Sequence, residues 1–200
     1  MKANAVIIPS CGSNLASLQF ALDRLGAEVP LTEDPDRIRG ASHVILPGVG
    51  AAAPGMERLR AAGVADLIPT LTQPVLGICL GMQLLFERSE EEDTRCLGII
   101  DAVVRRMPAS PQLPVPQMGW NELEPIAASP LLDGIARGAY AYFVHSYAAP
   151  PGDYTLALTS YGQPFSSVVR RRNFFGTQFH PERSSRLGAK ILDNFLKITL

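Results

Sequence analysis

The run Pro74-Val75-Leu76-Gly77-Ile78 passes without a break into Cys79-Leu80-Gly81-Met82-Gln83. An unbroken apolar run reads as a strand buried on both faces, and the residues after Cys79 open a helical pattern. Gly77 and Gly81 each stand two residues from Cys79. A strand that turns straight into a helix bends so tightly that side chains at those two positions would collide. Such a junction belongs to α/β folds, in which helices cover a parallel sheet.

The rest of the first half fits. Residues 5–8 form an apolar strand. The helix over 14–25 carries Leu15, Leu18, Leu22 and Leu25 on one face, and Gly26 stops it. Further strands are expected over 27–31 and 43–46, a helix over 56–62, and a helix from Leu80 to about Arg88. In the second half, 97–106 looks extended, and 108–116 holds four prolines and is a loop. Segments 142–147, 154–161, 165–170 and 174–179 read as strands punctuated by Gly and Pro, which suggests hairpins. A closing helix over 187–196 aligns Leu187, Ile191, Leu192 and Phe195. The expectation is one α/β domain over 1–200. Its mixed, mostly parallel central sheet is flanked by helices, with an antiparallel portion in the C-terminal half.

Composition excludes several classes. With 18 basic and 19 acidic residues, the net charge of −1 offers no electrostatic footprint for nucleic acid. The one basic run, Arg170-Arg171-Arg172, reads as a solvated strand end. No apolar stretch approaches the ~18 residues of a membrane span. Three cysteines, an odd number, do not frame disulfides, and the expected compartment is the reducing cytoplasm. No Cys pair has metal-ligand spacing and the three histidines are scattered, so no zinc site is expected, and the thiol chemistry read below needs no metal or organic cofactor.

The chemistry centres on Cys79. At the mouth of a helix its thiolate is favoured by the dipole, and the flanking glycines set it on a nucleophile elbow. A thiol nucleophile needs a base, and the base an orienting group. Phe179-His180-Pro181-Glu182 supplies both, because residues two apart in an extended chain face one side. Glu182 then holds the His180 ring. His43 and His145 read as structural, as do Cys11 and Cys96. Acyl transfer also needs an oxyanion hole. The loop Pro47-Gly48-Val49-Gly50 provides one backbone amide, if its strand neighbours that of Cys79, and Leu80 provides another.

These stretches resemble the class I (triad) glutamine amidotransferases, matching Pro47 to Gly50, Gly77 to Gln83 and His180 to Glu182 in order and spacing. Met118-Gly119-Trp120-Asn121, Tyr142 to Tyr147 and Gln178 to Ser184 are similar to the histidine-biosynthesis branch, the glutaminase subunits of imidazole glycerol phosphate synthase. The resemblance implies a flavodoxin-like fold. It implies Cys79 as nucleophile, His180 as acid and base, Glu182 as the orienting carboxylate, and oxyanion amides from Val49 and Leu80. Glutamine contacts fall on Gly48, Gly50, Gln83, Glu91, Ser146 and Tyr147. The implied partner is a (β/α)8-barrel cyclase subunit in a heterodimer, facing Trp120, Asn121 and Arg183. Two rival readings are a glutaminase of another synthase, such as that of pyridoxal phosphate synthesis, and a non-catalytic module on the same fold. The sequence departs from the family at Pro9-Ser10-Cys11-Gly12-Ser13-Asn14, where the usual pattern after the first strand begins Asp-x-Gly.

Overall fold

The structure, a computed structural model, describes residues 4–9 and 15–199. Along the chain, β1 (Ala5–Ile7) leads to α1 (Leu15–Asp23), α2 (Pro35–Gly40), β2 (His43–Gly48), α3 (Ala52–Ala61), β3 (Val75–Cys79) and the one-turn α4 (Leu80–Gln83). Then come β4 (Phe86–Ser89), β5 (Thr94–Arg95), β6 (Ile100–Arg106), β7 (Gln117–Pro125), β8 (Ala139–His145) and β9 (Tyr147–Ala148). β10 (Thr155–Tyr161), β11 (Gln163–Arg171), β12 (Phe174–Thr177) and α5 (Ser185–Leu196) complete the series.

The main sheet has the order β1-β2-β3-β12-β11-β10-β7-β8. β1, β2, β3 and β12 run parallel, and the four strands beyond them are antiparallel, so the antiparallel portion equals the parallel one. β2 and β3 are buried at every position, as their apolar runs require. Alternate residues divide between two cores. Val44, Leu46 and Val75 meet Met56 and Leu59 of α3, while Ile45, Leu76 and Ile78 share a core with Leu22 of α1 and Ile191, Leu192 and Phe195 of α5. Each such side chain removed from water stabilises the fold by about 1.5–3 kcal/mol before entropy is counted. A smaller sheet, β5-β4-β6-β9, covers the α3 side.

Two expectations are corrected. The helix after Cys79 ends at Gln83 and does not reach Arg88. The carbonyls of Leu84, Leu85 and Phe86, which a longer helix would use, accept instead from Leu97, Ile99, Ile100 and Gly98. Leu84, Leu85 and Phe86 are all fully buried, which no single helix face accommodates, and the chain leaves as β4 beside β6. Segment 27–31 is not a strand. Only Leu31 bridges Ile7, because Pro30 has no N–H and offers Ile7 its carbonyl alone. The sequence reading also passed over α2, although Asp34 caps it by accepting from Asp36 N and Arg37 N, with Pro35 next. It took Met118 to Asn121 as a motif only, where the structure has the long strand β7.

The basic run ends β11 as a solvated turn: Arg171 pairs with Asp153 and Arg170 stacks on Phe175. Among the described residues no helix is long and apolar enough to cross a membrane, and no cluster of His, Cys, Asp or Glu could hold a metal ion. Residues 10–14 of the divergent first loop, with Cys11, lie outside the described residues.

Candidate active site

The site is built where β2, β3 and β12 end. Cys79, the last residue of β3, has φ 53° and ψ −110°, a left-handed conformation costly for any residue with a side chain. The flanking glycines make it possible. A Cβ on Gly77 would lie 2.6 Å from the Gly81 carbonyl oxygen, and one on Gly81 only 1.7 Å from that of Leu46. β2 and β3 are neighbours, with Gly48 paired to Cys79 in register. The 47–50 loop therefore stands beside the thiol, the condition on which its oxyanion reading depended. Gly48 itself lies against Leu80 and Gly81, where a Cβ would come within 3.0 Å of Leu80 Cβ.

His180 follows β12, and β12 lies beside β3, which brings the imidazole to the elbow. Its Nδ1 is 2.8 Å from Glu182 Oε1. The route differs from the extended geometry expected: Pro181–Arg183 is a 3-10 turn, and the turn carries the carboxylate back to the ring. The turn is fixed from both sides. His180 N donates to Tyr142 O, Tyr142 N donates to Ser184 Oγ, and Ser184 Oγ donates to His180 O. Glu182 Oε2 is buried with no hydrogen-bond partner among the described residues, so the imidazolium is the group left to balance its charge. Burial alone would push the His180 ring down. Hydrogen bonds and charges from Cys79 and Glu182 override it and raise the ring to about 10. At neutral pH the proton rests on His180.

These groups open into a cleft of about 280 Å³. Val49, Gly50, Cys79, Leu80, Gln83, Glu91, Ser146, Tyr147 and His180 line it, so every residue expected to touch substrate except Gly48 is gathered there. Gly50 takes φ 98°, which only glycine adopts freely. Glu91 is not one more solvated acid of its run. It is half-buried, and its Oε2 accepts from Ala52 N at 2.8 Å at the start of α3. A carboxylate on a cleft wall suits an ammonium group.

The expectation that His43 is structural agrees with its contacts. Its Nε2 lies 3.0 Å from the Ile198 carbonyl oxygen and its ring packs edge-on against Phe195. His145 is also buried, packed against Phe143 and Phe165, but it lines the cleft as well. Burial pushes its ring down to about 4, against a hydrogen bond to the Tyr147 carbonyl that favours the charge. His145 is thus neutral, with Nδ1 donating. Cys96 is a buried thiol that burial raises to about 11, far from the reactive range. The functional neighbour the sequence reading missed is Gln178. It stood inside one of the matching motifs, but only the β3–β12 pairing turns it toward Cys79.

Around the corner, Trp120 is 52% exposed and meets the Tyr142 ring edge-on at 5.9 Å. The Arg183 guanidinium lies 4.4 Å over the same Tyr142 ring. Met118, at 67% exposure, extends this apolar patch along β7. Asn121 differs from the other two expected interface residues. Its Nδ2 donates to Ser160 O and its Oδ1 accepts from Glu122 N, so its side chain ties β7 to the end of β10.

Comparison with known proteins shows the family. The sequence profile of the glutamine amidotransferase class-I family matches residues 8–199. The chain is 49% identical over 197 residues to the imidazole glycerol phosphate synthase subunit HisH of Idiomarina loihiensis, covering 98% of this chain and 99% of that one. It is 51% identical over 192 residues to subunit HisH 2 of Legionella pneumophila (strain Paris), covering 96% of each. Among solved structures, one of a glutamine amidotransferase superposes with a TM-score of 0.74 at 20% identity, covering 97% of each chain. A chain of PurLQS from Thermotoga maritima gives 0.67 at 19%, covering 98% of each. At those identities the structures speak for the fold alone. The sequence relatives set aside the pyridoxal phosphate branch, and the chain belongs to the class-I glutamine amidotransferases, within the group of imidazole glycerol phosphate synthase HisH subunits.

Proposed function

We propose that this cleft performs the glutaminase step of an imidazole glycerol phosphate synthase, with Cys79 as nucleophile, His180 as acid and base, and Glu182 as the group that orients and charges His180. The observation that supports this best is the 2.8 Å His180–Glu182 bond beside a cysteine held in a left-handed elbow. His180 takes the thiol proton, and Cys79 attacks the side-chain amide of glutamine. The oxyanion that forms is met by the backbone amides of Val49 and Leu80, and Leu80 N sits in the first turn of a helix, where it needs no intrahelical partner. His180 gives its proton to the departing nitrogen, which leaves as ammonia. It then takes a proton from the water that attacks the thioester, and glutamate is released. Glu91 receives the substrate ammonium, while Gln83, Ser146 and Tyr147 hold the rest of the amino acid.

The ammonia passes to a (β/α)8-barrel cyclase subunit bound as a heterodimer over Trp120, Tyr142 and Arg183, in the cytoplasm. Exposed aromatic and Arg side chains in contact with one another are common anchors of such interfaces. The residues assigned here use no cofactor.

Replacing Cys79 with Ala in the assembled synthase tests the reading. Glutamine-driven synthesis should fall by about a thousandfold or more, while synthesis fed with ammonium salt continues. Persistence of glutamine hydrolysis would sink it.

A further inference from the structure

Two buried amides connect the substrate wall to the nucleophile, and their orientation is settled by a backbone carbonyl. Side-chain amide oxygens and nitrogens are normally assigned from the network around them. Here the network starts at Tyr147 O, which can only accept. Gln83 Nε2 lies 2.9 Å from it, which makes that end of the Gln83 amide the donor. The second hydrogen of the same nitrogen goes to Gln178 Oε1 at 3.0 Å. With its oxygen committed there, Gln178 turns its Nε2 toward Cys79 Sγ at 3.8 Å. Gln178 is wholly buried, and its backbone N–H is fixed on Ser167 O, so it has no solvent alternative.

We propose that Gln178 is a positioning residue for glutamine hydrolysis: its N–H is directed at the Cys79 sulfur, and its carbonyl locks Gln83 so that Gln83 offers an oxygen to the substrate. The proposal rests on Cys79 being the nucleophile. Both hydrogens of Gln83 Nε2 are taken, so what remains for the cleft is the acceptor end. An acceptor in the same cleft as the Glu91 carboxylate suits a donor-rich group, the ammonium of an α-amino acid. At the other end, a sulfur that has given up its proton accepts an N–H more strongly than a neutral thiol does. The remaining charged or titratable groups around it are His180 and Glu182 from the turn after β12, His145 from β8, Tyr147 from β9 and Glu91 from the turn after β4. Gln178 is neutral, so Gln178→Met leaves their charges as they are, whereas Gln178→Glu adds a carboxyl group and is read through KM.

The test uses the complex with the barrel subunit and two near-isosteric variants. Gln178→Met removes donor and acceptor together. Gln178→Glu keeps the acceptor for Gln83 but withdraws the N–H from the sulfur. Alkylation of Cys79 by iodoacetamide is followed from about pH 5 to about pH 9, together with KM and kcat for glutamine. In Gln178→Met the alkylation profile should move to higher pH by about one unit and kcat should fall about tenfold. KM should rise about tenfold in Gln178→Met, where Gln83 is free to turn, and stay near the parent value in Gln178→Glu. If Gln178→Met does not fold, Gln178→Leu, which also adds no charge, decides through its alkylation profile. Unchanged profiles and KM in folded variants overturn the proposal. Glutamine hydrolysis by the Cys79→Ala complex would instead overturn the nucleophile assignment on which it rests.

Discussion

The carbonyl oxygen of Leu46 stands 1.7 Å from the point a Cβ on Gly81 would occupy, so α4 rests directly on the backbone of β2. That contact sets the elbow against the loop expected to form the oxyanion hole. Gly81→Ala should cost about 3 kcal/mol or more, since neither neighbour is a flexible side-chain end. Gly40→Ala, with nothing within 4 Å of its Cβ, should leave stability unchanged or slightly improved. Urea midpoints of the two variants check this; equal midpoints would mean that the elbow yields.

Glu182→Gln removes one of the two groups that raise His180. The ring then loses its proton at a lower pH than the parent value of about 10, and the alkaline limb of glutaminase activity should move down accordingly. The rate near neutrality should fall about a hundredfold. A pH–rate profile of the complex reads both, and an unmoved alkaline limb would contradict the assignment.

His145 and His180 should shape the stability curve from opposite sides. The unfolded chain binds a proton at His145 near 6.5, and the folded chain refuses it until about 4. Stability therefore rises with pH through that window, by up to about 1.4 kcal/mol per unit. The folded chain keeps the His180 proton to about 10, so that contribution is complete below 6.5 and is lost as pH rises toward 10. Between them the two groups place the optimum near 6.5. Denaturation across pH should flatten on its acid side alone in His145→Gln.

Glu91→Gln keeps an oxygen for the Ala52 N–H and deletes only the charge. The expected result is a KM for glutamine about tenfold higher, a kcat within about twofold, and thermal stability close to the parent. A fall in kcat alone would move Glu91 from substrate binding to chemistry.

Trp120→Ala and Arg183→Ala should hardly change folding of the chain on its own, since both side chains are largely outside the core. Titration with the barrel subunit should show each weakening association by about 2 kcal/mol, roughly thirtyfold. Asn121→Ala should do the reverse, loosening the β7–β10 connection while sparing affinity.

The elbow was legible because steric rules act within five residues: Gly77, Cys79 and Gly81 carry their own geometry. The His180–Glu182 pair was legible as a pair, yet its 3-10 turn was not, because Ser184 and Tyr142 fix that turn from elsewhere in the fold. The overlong helix after Cys79 shows the same limit. Leu84 and Leu85 suit a helix locally, and only the backbone of Leu97–Ile100, arriving to take their carbonyls, ends it. Gln178 stayed invisible for a related reason: its task depends on which strand lies beside β3, a fact of topology rather than of any motif.

That neighbour is β12, the last strand of the chain, although 99 residues separate Gln178 from Cys79. While the chain is being made, β3 and its cysteine leave the ribosome long before the strand that completes them. Until then the thiol lacks the His180 imidazole, the Glu182 carboxylate that orients it and the Gln178 side-chain amide. Hydrolytic competence is thus the final thing the polypeptide acquires, and a chain broken off before β12 spares the cell's glutamine.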